Sequence, residues 1–476
     1  MSTEEIQALR PYLYRFCGKF DGCIRDRRTR KHLRTYVNGQ LSSLPRKSVE
    51  PIALEAGTPV RTLQEFLEIH RWDEEQAARR LRQIVQKEYG DPNAMGVIDE
   101  TGFGKKGKKT VGVQRQWCGS TGKIDNCVVT VHLGLVSGEF HTLVDGDLYL
   151  PEETWVQDWE RRTEAGVPKE VVFRPKWEIA LDLLKRTLGE GVKLKWLVAD
   201  EAYGRVMEFR DRVEGMGLLY VVEIPSDLVG WTKPPKIEPA GTLRESGRVS
   251  TSRRLAPDAE GARAVSKMWK RGGPSWEAWQ VKETEKGPSV WKVRETPFYP
   301  NVLGYPGERL RLLIAREVLT GEVKYFVSNA LEEIPLSALL KVGFSRWHIE
   351  RVFEDGKGEI GLDHFEVRHY RPLIRHLILS MLSFYFLADR TEWLKKKKSG
   401  LDALPSEDGD RGPARPEALA ARTDPSYRKN VEEDSVLATS QSRGSPSASQ
   451  NTPPGVTPGR HRPAQSQALP EENLAL

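Results

Sequence analysis

Along the first 90 residues apolar positions recur at steps of three and four, from Tyr12 to Phe20 and again at Leu81, Ile84 and Val85, a spacing that predicts amphipathic helices. Between them, Val49 to Leu67 shows a helical pattern, a break at Gly57 and a second pattern opened by Thr58. The outline is that of a helix-turn-helix with a Thr-capped second helix. From Met95 the period becomes that of strands. Met95-Gly96-Val97-Ile98 is an apolar run that delivers Asp99 and Glu100 and then meets Gly102 and Gly104. It reads as a strand ending in an acid, with glycines that let the chain fold back. Val111 to Trp117 and Asn126 to Leu135 follow, with turns at Gly107 and at Ser120-Thr121-Gly122, which predicts an antiparallel meander of three strands.

Pro175 to Leu188 has the spacing of an amphipathic helix, and Lys193 to Ala199 follows as a strand that delivers Asp200 ahead of Gly204. A helix over Arg205 to Val213 and a strand over Leu218 to Ile224 complete an order of three strands, helix, strand, helix, strand. In a mixed sheet, two adjacent strands that each end in Asp set both carboxylates at one edge, within reach of a shared cation. From about Pro225 to Phe326, Trp231, Trp269, Trp276, Trp279 and Trp291 sit among Gly, Pro and charged residues, and Leu310 to Val327 reads as a hairpin turning at Thr320-Gly321. This is a β-rich insertion whose tryptophans fill cores first and offer stacking faces second.

Past Pro335 the pattern is helical again. Arg346, Glu350 and Lys357 recur at four and then seven residues on one side, with Ile349, Val352 and Phe353 on the packing side. An acid between two cations suits a carboxylate on a metal with bases on neighbouring phosphates, although a salt-bridged exposed helix has the same spacing. Leu377 to Ala388 is the longest apolar run, contains two serines and is shorter than the roughly 20 residues that span a bilayer, so it reads as a buried helix. Beyond Lys398, Pro, Ser, Ala, Gly, Arg and Glu dominate and Tyr427 is the only aromatic residue, the composition of a disordered tail.

Length and charge narrow the class. A chain of 476 residues holds two or three domains. Its four cysteines show no C-x-x-C spacing, and its Met-Ser-Thr-Glu-Glu start lacks the basic, apolar form of a signal peptide; both point to reduced thiols in a cytoplasm rather than to disulfides or structural zinc. Lys and Arg number 73 against 67 acids, a net charge of +6, compatible with a polyanionic partner. The distribution says more than the total: basic clusters lie at Arg25 to Lys31, Lys105 to Lys109 and Lys395 to Lys398. The second follows Asp99 directly, where it can hold phosphates or simply be an exposed loop.

Assembled, these residues resemble the bacterial insertion-sequence transposases of the DDE type, over roughly Arg25 to Arg390. The likeness rests on Ile98 to Phe103, on Val198 to Gly204, and on the Arg-x3-Glu-x6-Lys signature met by Arg346, Glu350 and Lys357. It implies an α/β, RNase H-like mixed sheet with flanking helices. The implied boundaries are a helical DNA-binding domain over 1–90, a catalytic core over 91–224 and 328–394 interrupted by the β insertion 225–327, and a disordered tail over 395–476. It makes Asp99, Asp200 and Glu350 the catalytic and metal-binding triad, with Glu354 one turn on as the competing third ligand. Arg346, Lys357, Lys105 and Lys106 become contacts to DNA phosphates. It further implies Mg2+ or Mn2+, in two ions, and double-stranded DNA partners comprising terminal inverted repeats and target. A homodimeric synaptic complex, no membrane and a cytoplasmic location complete the picture. The family signature usually carries a tyrosine three residues before the arginine; here Gly343 stands there, with Phe344 beside it. The competing readings are a transposase-derived DNA-binding protein that no longer cuts, and a two-carboxylate hydrolase of another polymer.

Overall fold

Five helices open the fold: α1 (Arg10–Gly18), α2 (Arg27–Gln40), α3 (Val49–Glu55), α4 (Val60–Glu68) and α5 (Glu74–Tyr89). The computed structural model describes residues 9–243, 249–268, 275–284 and 287–398; the expected tail, beyond Lys398, and Trp269 lie outside them. Asp26 and Asp73 cap α2 and α5 by accepting from Thr29 N and Gln76 N, which satisfies donors that no helical carbonyl reaches. The glycine break between α3 and α4 is real, with Gly57 at φ +59°, a region glycine enters without a Cβ penalty. The cap of α4 is Pro59 rather than Thr58, and it makes no side-chain capping bond.

The sheet begins with β1 (Met95–Gly104), β2 (Gln114–Cys118), β3 (Lys123–Ser137) and β4 (Phe140–Leu148). β1 does not end at Asp99 as its sequence suggests. It continues through both glycines, pairing antiparallel with β3 as far as Gly104↔Cys127. β3 also pairs antiparallel with β4 along one stretch and with β2 along another. β4 is the strand that periodicity missed. Its apolar run is broken by Asp145, Gly146 and Asp147, a turn-like string, yet Asp145 is buried beneath Arg82 at 3.1 Å and Arg186 at 2.8 Å.

After α6 (Trp159–Glu164) and α7 (Lys176–Gly189), β5 (Trp196–Ala199) joins β1 in parallel. A single turn α7-to-sheet step then repeats through α8 (Glu201–Gly204) and α9 (Met207–Gly215) into β6 (Leu219–Glu223), parallel to β5. The spatial order is therefore β4-β3-β1-β5-β6. The tryptophan-rich segment adds the short strands β7 (Val229–Trp231), β8 (Ile237–Glu238), β9 (Arg254–Leu255) and β10 (Arg263–Ala264). It then adds β11 (Glu277–Thr284), β12 (Gly287–Val302), β13 (Tyr305–Pro306), β14 (Leu310–Glu317) and β15 (Val323–Ser328). β15 pairs with β6 and β14 with β15, so this segment prolongs the same sheet through the expected hairpin. Trp231 and Trp291 are buried, and Trp276 and Trp279 pack against the core.

Three helices close the chain: α10 (Leu336–Gly343), α11 (Trp347–Ile360) and α12 (Tyr370–Lys398). By length and composition α12 is apolar enough to cross a membrane, but most of its apolar window is buried inside the fold, as the sequence leads one to expect. It packs on α2, α4, α5 and β4. The two serines of its apolar run find a matching amide: Gln40 donates to Ser380 Oγ, and Ser383 donates to Gln40 Oε1, each at 2.8 Å. Arg375 is fully buried and gives its guanidinium to the carbonyls of Phe66, Leu67, His70 and Trp72 and to the Glu74 carboxylate at 3.1 Å. These carbonyls belong to the end of α4 and the turn beyond it, where no helical N–H is left to bond them. Replacing Arg375→Met takes this donor from the carbonyls of Leu67, His70 and Trp72 and leaves Glu74 with Arg371 alone and Phe66 O with the Trp72 indole, and is expected to cost about 3 kcal/mol. Urea unfolding of the two proteins at pH 7 measures it; a loss under about 1 kcal/mol would mean the cluster is not what holds α12 to the N-terminal helices.

Candidate active site

The position of the first two acids follows from sheet register. The parallel pairing of β1 and β5 runs from Met95↔Trp196 to Ile98↔Ala199, so Asp99 and Asp200 come next on neighbouring strands about 4.8 Å apart. Asp200 is still extended at φ −78°, ψ −177°, and then caps α8, its Oδ1 accepting from Ala202 N at 3.0 Å. Asp99 is buried, facing His132 of β3 in the antiparallel register on its other side. Its Oδ1 accepts from Glu100 N at 2.7 Å and its Oδ2 from Arg346 Nη1 at 2.9 Å. Burial pushes the Asp99 carboxyl up to about 7, the Arg346 cation pulls against that rise, and the charge of Asp200 adds to it.

Arg346 closes the turn Phe344–Arg346 just before α11. Its second amino group donates to Glu350 Oε1 at 2.5 Å, so one guanidinium joins the carboxylates of Asp99 and Glu350. Ile349, Val352 and Phe353 are buried as the helical spacing predicts, which turns Glu350 outward. The competing acid, Glu354, is exposed and pairs with Arg351 at 3.2 Å. Among the described residues no group of three His, Cys, Asp or Glu side chains converges on a common point. The three acids share a neighbourhood, with Glu350 linked to it through Arg346.

The four cations expected to hold phosphates are placed differently from one another. Lys357 is half-buried, 3.5 Å from Gly102 O and 5.7 Å from the centroid of the Phe103 ring, with its pKa lowered by burial. Lys105 corrects its expectation. Its amine donates to Phe365 O at 2.8 Å, lies 3.4 Å from the Phe365 ring centroid, and is pushed down to about 8 by burial. It is an internal anchor, and Lys106 is the exposed member of the pair. Gly343 also has a physical reason: a β carbon there would sit 2.9 Å from Val221 Cγ1, so the close packing of α10 on β6 leaves no room for a tyrosine. Phe344 takes the aromatic position instead, against Trp291 and Phe326.

Several neighbours were not legible beforehand. Lys176 pairs with Glu100 at 2.6 Å. Tyr203 is buried beside Asp99, Glu100 and Asp200, with a hydroxyl that has no hydrogen-bond partner among the described residues. Glu223, on β6, is held up by burial while Lys324 and Arg346 pull it down. Only the runs Asp99-Glu100 and Asp200-Glu201-Ala202-Tyr203 signalled Glu100 and Tyr203; Lys176 and Glu223 had no sequence signal beyond their own elements.

The geometry can be set beside known proteins. The chain is similar to a probable transposase for insertion sequence element IS701 of Microchaete diplosiphon, 33% identical over 216 residues, covering 44% of this chain and 53% of that one. It thus spans about half the length of the curated relative it matches. A structure of a piggyBac transposase synaptic complex with hairpin DNA aligns over 78% of this chain and 67% of that one, at 10% identity and a TM-score of 0.35, too slight a likeness to carry weight. The model of the family described as DDE superfamily endonuclease matches residues 19–288, which include Asp99 and Asp200 and stop short of Glu350. Endonucleases of that superfamily generally use divalent metal ions. With more than half of its length matched by that family, the chain belongs to the DDE superfamily endonucleases.

Proposed function

We propose that this chain is a DNA transposase that cuts DNA at the ends of an insertion sequence and joins the freed ends to target DNA. The observation that carries the reading is the parallel register of β1 and β5, which runs to Ile98↔Ala199 and sets Asp99 and Asp200 next in line, with Arg346 linking Glu350 to Asp99. The order β4-β3-β1-β5-β6, antiparallel through three strands and parallel through two, supports an RNase H-like core. Similarity to the IS701 transposase supports the substrate class. In this reading 1–90 is the DNA-binding domain, 91–224 and 328–398 form the catalytic core, 225–327 is the insertion and the tail begins after Lys398 rather than at 395, because α12 runs through the four lysines. Two copies bring the two ends together on double-stranded DNA, in the cytoplasm.

Asp99, Asp200 and Glu350 would hold Mg2+ or Mn2+, in two ions. The pair Asp99 and Asp200 fits such a group: two like charges side by side, one of them buried with its carboxyl pushed up to about 7, is an arrangement that a hard cation relieves, and Glu350 would join them on leaving Arg346. When bound, the ions activate the attacking oxygen and stabilise the leaving one. This chain's residues do the rest. Asp99 and Asp200 are set by the sheet, so their spacing does not depend on loop conformation. Arg346, held by two carboxylates, is the cation a DNA phosphate meets when those carboxylates turn to metal. Lys357 and Lys106 would take further phosphates of the same strand.

In the first step a water oxygen bonds to phosphorus and the bond from phosphorus to the 3′ oxygen breaks, leaving a 3′-hydroxyl and a 5′-phosphate. In the second the 3′-hydroxyl oxygen attacks a target phosphodiester and displaces its 3′ oxygen. No bond to the protein forms in either.

Cleavage of a labelled duplex carrying the element's own ends, with Mg2+ or Mn2+, tests the reading. Wild type should leave free 3′-hydroxyls. Asp99→Ala, Asp200→Ala and Glu350→Ala should each bind DNA but cut roughly 100-fold slower or worse, while Glu354→Ala cuts normally. Binding without cutting under either metal would favour the DNA-binding reading. The charge state supplies a second test. An acid held near 7 keeps a proton in the folded state that the unfolded chain loses near 3.8, so its contribution to stability falls as pH rises between those values. In urea unfolding, wild type should therefore lose more stability from pH 5 to pH 8 than Asp99→Asn, and Mg2+ at pH 8 should recover it for wild type alone. Equal slopes in the two proteins would remove Asp99 as the titrating group.

A further inference from the structure

The hairpin formed by β2 and β3 has two unlike faces. On one, Cys118 and Cys127 are buried, and Gly102 of β1 approaches Cys118 so closely that a β carbon there would lie 2.9 Å from its Sγ. The glycine lets the hairpin lie over β1 three residues beyond Asp99, about 10 Å along the strand. On the other face Trp117 stands directly opposite Ile124, and Arg115 opposite Asn126, all on one side by the two-residue period. Trp117 is 57% exposed and Ile124 61%. β2 is also the last strand on its side of the sheet.

Exposed apolar side chains are ordinary when single; a cross-strand pair of a tryptophan and an isoleucine on an edge hairpin is a feature that proteins otherwise blunt. What surrounds this pair is cationic. Asn126 Nδ2 donates to the carbonyls of Lys105 and Gly107, the latter at 2.9 Å, which straps the lysine loop beside the same face. Lys106 and Lys108 of that loop are exposed, and neither they nor Arg115 form an ion pair among the described residues. The acids nearby are spoken for: Asp125 faces Lys123 at 3.9 Å and Glu164 faces Lys109 at 3.1 Å.

We propose that this outer face is a DNA-contact arm, separate from the acids and from the N-terminal helices, that grips the duplex flanking the cleaved phosphate. Arg115, Lys106 and Lys108 take backbone phosphates, and Trp117 with Ile124 presses against base edges as an apolar wedge. The proposal rests on the transposase reading, since it needs DNA at the Asp99 end of β1. A second copy of the chain is the other occupant for an edge strand, but an unpaired ring of like charge repels its own copy and attracts a polyanion.

Fluorescence anisotropy of a labelled 30-base-pair duplex of mixed sequence, titrated with the full chain over a salt series, tests it. The double variant Trp117→Ala, Ile124→Ser should bind about tenfold more weakly, the size that one stacked base commonly carries. Trp117→Phe should retain most of the affinity, and Arg115→Ala should lower the salt slope by about 1. Val172→Ser, another exposed apolar position, should change nothing, and all variants should melt with wild type because the altered side chains are outside the core. If wild type binds and the double variant binds equally well, the arm is overturned while the transposase reading stands. If the double variant instead loses a concentration-dependent dimer with DNA binding intact, the face is a contact between copies and the proposal fails. If wild type does not bind duplex DNA at all, the transposase reading falls first.

Discussion

Ile98 pairs with Ala199 in a parallel register, and the nearness of Asp99 to Asp200 depends on that one alignment. A slip by one residue would turn every side chain of β5 to the other face of the sheet and separate Asp200 from Asp99. Both strands are short of polar residues before their acids and buried on both faces, as parallel strands under helices are. Burial thus enforces the register, and the register delivers the carboxylates as neighbours. The same burial makes their charges costly, which is why Asp99 resists ionisation and why Arg346 is drawn to it.

Arg346 is the hinge between the sheet and α11. Its planar fork satisfies Asp99 with one amino group and Glu350 with the other, a use for which the point charge of lysine is poorly shaped. Fixing α11 this way also sets Lys357, two turns beyond Glu350, against the carbonyl of Gly102. The exposed pairs of the same helix, Arg351 with Glu354 and Asp355, contribute little and are interchangeable with solvent. The salt-bridged face that the spacing also allowed is present in both sets, since Arg346 pairs with Glu350 as Arg351 pairs with Glu354 and Asp355.

The N-terminal helices are tied to the large sheet through α12. Arg375 and the matched pair of Gln40 with Ser380 and Ser383 are polar groups inside an apolar interface, each with its partners in reach. Such groups specify one docking of the helices, since any other leaves a charge or an amide unsatisfied. Trp231, Trp276, Trp279 and Trp291 of the insertion serve the continuous sheet in the same structural sense, as buried or half-buried packing against it.

Local pattern was enough for the apolar runs that lead into Asp99 and Asp200, the helix carrying Glu350 and Lys357, the buried character of α12 and the hairpin of β14 and β15, because each is decided by neighbours a few residues apart. It misjudged what distant contacts decide. β1 runs past Asp99 because β3 pairs with it as far as Gly104, and β4 exists despite its acids because Arg82 and Arg186 neutralise Asp145. Lys105 is withdrawn from the loop by carbonyls 260 residues away in sequence. Gly343 cannot be a tyrosine because Val221 occupies the space. The sequence by itself determined which acids and cations the chain carries and on which kind of element; only the tertiary structure decided which of them meet, since sheet register and the partners of a buried charge are set by residues that no local spacing connects.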